Sequence, residues 1–371
     1  MRNDKLKRIA VKVGSNVLTR ADGGLDVTRM SALVDQLATL HRSGVEVILI
    51  SSGAVASGRS QLTTSAKLDS VSQRQLFSAI GQVSLINVYY ELFRRYGITI
   101  GQMLTMKDNF GTRRLYLNQK NCMTVMLDNE VLPVVNENDT VSIEGLMFTD
   151  NDELAGLIAS MMDVELLVIL SSIDGVYNGS PSDPGSEVLR DIGPDADLSS
   201  YIQTVKSSFG RGGMLSKTAI ARKVAGEGIT VVVANGRRDN ILLDIVRAEE
   251  AHRRGEVTPA DLVCTRFSPA EVSVSGVKKW IAHSEGFTKG ALQLNAQATQ
   301  ILLSERVASL LPIGITAVEG DFEENDLVRI LADDGHQLGV GKAECNAAQA
   351  REDMGKRGRK PVVHYDYLYI E

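Results

Sequence analysis

Six short apolar, β-branched runs recur along the first two-thirds of the chain, most of them apolar at nearly every position: Ile9–Val13, Val45–Ile50, Ile98–Leu104, Val131–Val135, Leu166–Leu170 and Thr230–Ala234. A strand with one wet face alternates apolar and polar residues. A strand apolar throughout is buried on both faces, the usual condition of a parallel sheet. The intervening segments read as helices. Asp26 is placed to cap one that runs through Leu33, Leu37 and Leu40; a second spans Val71 to Tyr96 and a third about Asn109 to Leu127. Parallel neighbours need a long crossover between them, and helices supply it. The alternation therefore predicts an α/β three-layer sandwich with a mainly parallel sheet.

The pattern changes after about His252. Residues 1–255 are expected to form the α/β unit, 256–276 a linker, and 277–371 a small β-rich domain. In that last part, strands are expected at Lys278–His283, Ile315–Val318, Leu327–Leu331, Leu338–Gly341 and Val362–Tyr365, with one helix at Ala296–Leu303. A chain of 371 residues is long enough for two or three domains.

Charge and cysteine content narrow the function. The net charge of −6 argues against a surface that holds nucleic acid along the whole chain. From Lys278 onward acidic residues outnumber basic ones, so the basic run Lys356–Lys360 reads as a solvated loop rather than an RNA site. Cys122, Cys264 and Cys345 are far apart and form no metal-ligand cluster, as expected of reduced thiols in a cytoplasmic protein. The basic N-terminal residues precede too short an apolar stretch for a signal peptide, and no run is long enough to span a bilayer.

In open α/β sheets ligands bind beyond the carboxyl ends of the strands, so the residues just past each strand matter most. The first strand carries Lys12-Val13-Gly14-Ser15. A lysine in an apolar strand is costly unless its ammonium reaches a partner, and Gly14 lets a ligand approach the backbone. A phosphate cradle and an edge-strand lysine beside a turn both fit. The second strand ends in Ser51-Ser52-Gly53-Ala54, small residues entering a helix whose free N–H groups suit an anion, although a serine cap explains them equally. The fourth ends in Asn136-Glu137-Asn138-Asp139-Thr140; five polar or acidic residues in a row after a buried strand favour a site that reads an ammonium group over a plain surface loop.

Asp150-Asn151-Asp152 opens a helix with more acid and amide than capping needs. Ser171-Ser172 comes directly after the fifth strand. Gly210-Arg211-Gly212-Gly213-Met214-Leu215-Ser216-Lys217 places glycines and a lysine at a helix start, where nucleotide phosphates bind, but the spacing is not that of a P-loop. Two lysines converging on one crevice would offset the repulsion between two anions during phosphoryl transfer.

In this order the motifs resemble the glutamate 5-kinase family of the amino acid kinase superfamily. Those that carry the resemblance are Lys12–Ser15, Ser51–Ala54, Asn136–Val141, Asp150–Asp152, and Gly212-Gly213-Met214 with Lys217. Leu310–Ile315 and Gly320-Asp321-Phe322 resemble a PUA domain. The resemblance implies an ATP-dependent enzyme that phosphorylates the side-chain carboxylate of L-glutamate, with Mg²⁺ carried by ATP and no protein metal ligand. It implies Lys12, Asp152 and Lys217 as catalytic, and Ser52, Gly53, Asn136, Asp139, Asp150 and Asn151 as glutamate contacts. Gly14, Ser171, Ser172, Arg211, Gly212, Gly213 and Met214 join the two lysines as nucleotide contacts. Feedback inhibition by proline, a glutamyl-phosphate reductase as pathway partner and a homo-oligomer are also implied. Two positions depart from the family pattern. Ser171-Ser172 stands in place of Thr-Asp, and Arg211 in place of Thr, both on the nucleotide side; Asp174 lies near enough in sequence to replace the lost carboxylate. An RNA-binding PUA protein and a catalytically weak regulatory paralogue are the alternatives.

Overall fold

The computed structural model describes residues 4–63, 67–142, 151–181, 183, 185–194, 196, 214–257, 261–271, 276–282, 287–304 and 308–370. The chain divides into two compact units, residues 1–107 with 118–273, and residues 108–117 with 274–371.

The first unit is built on an eight-stranded sheet. Its strands are β1 (Arg8–Val13), β2 (Glu46–Ile50), β3 (Ile100–Thr105), β4 (Leu132–Glu137), β5 (Leu166–Ser171), β6 (Asp191–Ile192), β7 (Thr230–Asn235) and β8 (Cys264–Phe267), in the order β3-β4-β2-β1-β5-β7-β8-β6. All six expected runs are strands, within two residues at each end. The pairings from β3 across to β7 are parallel; β8 runs antiparallel to β7. The fold class is therefore the mainly parallel α/β sheet that the buried runs predict.

Alternate residues of each strand face opposite layers. Ile9 and Val11 of β1, Leu49 of β2 and Val168 of β5 join one core with the helices Val27–Arg42, Ser70–Arg94 and Ile241–Arg253. The helices Asn151–Met161 and Met214–Gly226 pack on the sheet at β1, β5 and β7. The Val27–Arg42 helix starts as expected, with Asp26 accepting a hydrogen bond from the Arg29 N–H at 3.1 Å.

Two expectations give way. The segment expected as a linker, 256–276, contains β8. Its polar Thr265 and Arg266 disguise it, and they are tolerated because Arg266 meets the buried Glu249 at 2.8 Å. The expected strand Lys278–His283 is a helix over its described part, Gly276–Ala282. Trp280 and Ile281 are both buried, and Trp280 donates to the Phe110 carbonyl at 2.9 Å, so spacing along a helix rather than alternation governs the segment.

The second unit carries a five-stranded sheet of β9 (Gly290–Leu294), β10 (Ile315–Gly320), β11 (Leu327–Leu331), β12 (Gln337–Ala343) and β13 (Val363–Ile370), ordered β10-β9-β11-β12-β13. Four of these match expected strands; β9, which lies between β10 and β11, matches none. The Ala296–Leu303 helix is present as expected. Among the described residues no helix is long and apolar enough to cross a membrane.

Candidate active site

Beyond the carboxyl ends of β1, β2, β4 and β5 lies a cavity of about 420 Å³, lined by polar and charged side chains of the first unit. Lys12, Gly14, Ser52, Gly53, Asn136, Asp139, Asn151, Asp152, Ser171, Ser172 and Lys217 all border it. Residues far apart in sequence thus meet because parallel strands all end on the same side of the sheet.

At one end two ammonium groups share a single carboxylate. Lys12, buried in β1, brings Nζ within 2.5 Å of Asp152 Oδ1, and Lys217 Nζ lies 2.7 Å from Asp152 Oδ2. Asp152 is fully buried, in the first turn of the Asn151–Met161 helix, where the helix dipole favours negative charge. Burial alone would raise its pKa. The two lysines outweigh burial and hold the carboxyl below its ordinary value of 3.8, so it stays ionised. Gly14 closes this end. Its N–H donates to the Leu170 carbonyl at 3.0 Å, and a Cβ there would lie 3.2 Å from the same oxygen and 3.8 Å from Lys12 Nζ.

Amides fill the middle. Asn151 Nδ2 donates to the Ser51 carbonyl at 2.8 Å, to Ser52 Oγ at 2.9 Å and to Asn136 Oδ1 at 3.0 Å. Asn136 in turn donates to Gln82 Oε1 at 2.8 Å. This net fixes the amide orientations. Gly53, at φ +94°, turns the chain from β2 into the helix Ala54–Gln61, a conformation that side chains resist.

The far end is acidic. Glu137 and Asp139, both buried, flank the guanidinium of Arg74, which reaches Glu137 Oε2 at 2.9 Å and Asp139 Oδ1 at 2.6 Å from Nε. Burial raises the Asp139 pKa above 3.8, although Arg74 opposes it.

Some expected residues fall elsewhere. Met214 begins its helix without bordering the cavity. Asp174 also does not border it, and accepts instead from Asn235 Nδ2 at 3.1 Å. Asp150, Arg211, Gly212 and Gly213 lie outside the described residues. Conversely, Arg74 and Gln82 border or brace the site without any sequence signal. They sit on the Ser70–Arg94 helix, in no recognisable motif, and only the fold brings them there.

The model of the amino acid kinase family matches residues 7–235, and that of the PUA domain residues 290–365. A glutamate 5-kinase of Bacteroides thetaiotaomicron is 69% identical over 364 residues, 98% of each chain. One from Chlorobaculum tepidum is 45% identical, covering 98% of this chain and 97% of its own. The chain belongs to the glutamate 5-kinases of the amino acid kinase family. In the kinase, the matched span from 7 to 235 contains every described residue of the cavity, and the PUA match falls on the sheet of the second unit.

Proposed function

We propose that the kinase moves the terminal phosphoryl group of ATP to the side-chain carboxylate of L-glutamate. The product is glutamyl 5-phosphate, and the reaction is the first step of proline biosynthesis. One observation carries this reading beyond family membership: a cavity with two lysines on one buried carboxylate at one end and acidic residues at the other. Such a cavity matches an acceptor with an ammonium group at one end and a carboxylate at the other.

The roles follow from charge. Nucleophile and phosphoryl group are both anionic, and a unit charge pair at 4 Å is worth about 4 kcal/mol at an effective dielectric near 20. Lys12 and Lys217 neutralise that charge where the phosphoryl group passes. Asp152 is a positioning residue: it keeps the two like-charged lysines together and, being ionised, is no proton donor. Asp139 receives the α-ammonium; Ser52, Gly53, Asn136 and Asn151, with Asp150, hold the rest of glutamate. Gly14, Ser171 and Ser172 line the nucleotide side; Arg211, Gly212, Gly213 and Met214 are proposed as further nucleotide contacts on the strength of the resemblance.

Mg²⁺ is proposed as a companion of ATP, as the resemblance implies. Asp152 is taken by lysines, and no group of three His, Cys, Asp or Glu side chains among the described residues could hold a metal ion. Mg²⁺ supplies further charge neutralisation on phosphates that these residues need only orient. Proline as inhibitor, a glutamyl-phosphate reductase as the next enzyme, a homo-oligomer and a cytoplasmic location are part of the proposal on the strength of the resemblance alone.

The test is an assay with L-glutamate, ATP and Mg²⁺, trapping the acyl phosphate as its hydroxamate. Turnover of glutamate but not of aspartate or N-acetylglutamate is expected. Lys217→Ala is expected to lower kcat by roughly 100- to 1,000-fold, as for loss of one charge-stabilising donor. Absence of both turnover and glutamate binding by the wild-type protein would overturn the assignment.

A further inference from the structure

The acidic end of the cavity already holds a cation supplied by the protein. Glu137 ends β4 and Asp139 comes two residues later, so the sheet fixes both carboxylates. Arg74 comes from the first turns of the Ser70–Arg94 helix and reaches across to both. It is the most exposed of the three, its side chain 26% accessible against 2% and 9% for the two acids. Its hydrogen bonds to them use Nε and Nη2, and Nη1 is not among the bonded atoms. The guanidinium therefore borders the cavity with part of its fork uncommitted.

An amino acid head group is a zwitterion and needs two opposite partners side by side. Asp139 answers the ammonium only. Two carboxylates with no cation would place the substrate's α-carboxylate beside like charge. An arginine next to an aspartate answers both halves, and arginine suits a carboxylate because its planar fork matches it.

We propose that Arg74 binds the α-carboxylate of the acceptor amino acid and so makes a free α-carboxylate a condition of good turnover. This rests on the reading of the chain as a kinase of glutamate. On binding, the contact between Arg74 and Asp139 is exchanged for two contacts to the substrate, one from each. Among the described residues Arg59 is the other arginine on the cavity wall; its guanidinium lies over the Phe77 ring, 5.6 Å from the centroid, and is assigned no such role.

The experiment compares kcat/KM for L-glutamate and L-isoglutamine, which keeps the α-amine and the reacting carboxylate but carries an α-carboxamide. Wild type is expected to prefer glutamate by roughly tenfold or more, the worth of a hydrogen bond to a charged group. In Arg74→Gln that preference is expected to fall towards unity, and in Arg59→Gln to persist. A merely structural role for Arg74 would weaken both substrates by one factor and leave their ratio intact, which would overturn the proposal. So would equal use of the two by wild type, or a preference that vanishes in Arg59→Gln. If Arg74→Gln does not fold, Arg74→Lys decides: a preference cut several-fold supports the proposal, and an unchanged one overturns it. Failure of wild type to turn over either acceptor would instead strike the underlying glutamate-kinase reading.

Discussion

Lys12 occupies a strand position whose pairing partners are Ile50 and Ile169, among the most apolar surroundings in the molecule. An ammonium is tolerated there because Asp152 compensates it, and Asp152 is tolerated because it meets two ammonium groups. The pH dependence of stability stems from that arrangement. The folded-state pKa of Asp152 lies below 3.8, so its contribution is fully present above that pH and is lost as the pH falls from 3.8 through the folded value. Asp139 runs the other way. Its pKa is raised, chiefly by burial, so its ionisation costs stability as the pH climbs from 3.8 through the folded value. Melting temperatures measured across this acid range should separate the two. Asp152→Asn is expected to flatten the loss below 3.8, whereas Asp139→Asn is expected to remove a decline just above it. An acid limb of Asp152→Asn superimposable on that of wild type would show that the lysine-bound carboxylate is not linked to folding.

At the scale of elements, the helices Ala54–Gln61 and Ser70–Arg94 cross at two glycines. A Cβ on Gly58 would lie 1.8 Å from the Phe77 carbonyl oxygen, and one on Gly81 1.8 Å from that of Ala54. Backbone oxygens cannot yield as a flexible side chain can. Gly58→Ala or Gly81→Ala must therefore part the helices, at about 1–3 kcal/mol or more by overpacking. Gly226, with nothing within 4 Å of its Cβ position, is the control: Gly226→Ala should change urea-unfolding stability by under about 0.5 kcal/mol. Gly53 leads into the first of these helices and Arg74 lies on the second, so the crowded variants should also raise the KM for glutamate. Unchanged unfolding midpoints in both would mean that the close crossing is not obligatory. Elements also differ in how far their sequences announce them. Runs rich in apolar residues are marked by composition, and all six were legible, although β3, at the edge of the sheet, is not buried on both faces: Gln102 and Leu104 are exposed. Strand β9 was not, because it begins with Gly290, where a Cβ would come within 2.3 Å of the Glu319 carbonyl oxygen. The close approach to β10 demands glycine, and glycine hides the strand. Strand β8 was hidden by Arg266, whose partner Glu249 belongs to another element. At the site, residues within motifs at strand ends were legible. Arg74 was not, since it lies 63 and 65 positions from Glu137 and Asp139, and only the crossing of its helix past β4 makes it part of the cavity.

At the scale of the whole molecule, the boundary between the units does not follow the order of the chain. Residues 108–117, which come directly after β3 and Lys107, group with residues 274–371 rather than with the sheet that precedes them. Phe110 is wholly buried there, its carbonyl accepting from the Trp280 indole, and Arg113 lies 5.8 Å from the centre of the Trp280 ring. A protein cut after residue 273 keeps every described residue of the cavity but loses the cover of this segment. It is expected to bind a hydrophobic dye and to melt at a lower temperature. The milder variant Phe110→Ala gives a quantitative version, because Trp280 is the chain's single tryptophan and its fluorescence reports on the surroundings of this one ring. Loss of a buried phenylalanine costs about 3–5 kcal/mol, so the tryptophan transition in urea should move to clearly lower concentration. Hydroxamate formation followed along the same titration tells whether the cavity depends on this segment. Loss of activity in step with the tryptophan signal would make the second unit a structural condition of catalysis. Activity that outlasts the signal would mean that the first unit holds its cavity unaided, and an unmoved tryptophan transition would mean that Phe110 does not anchor the segment at all.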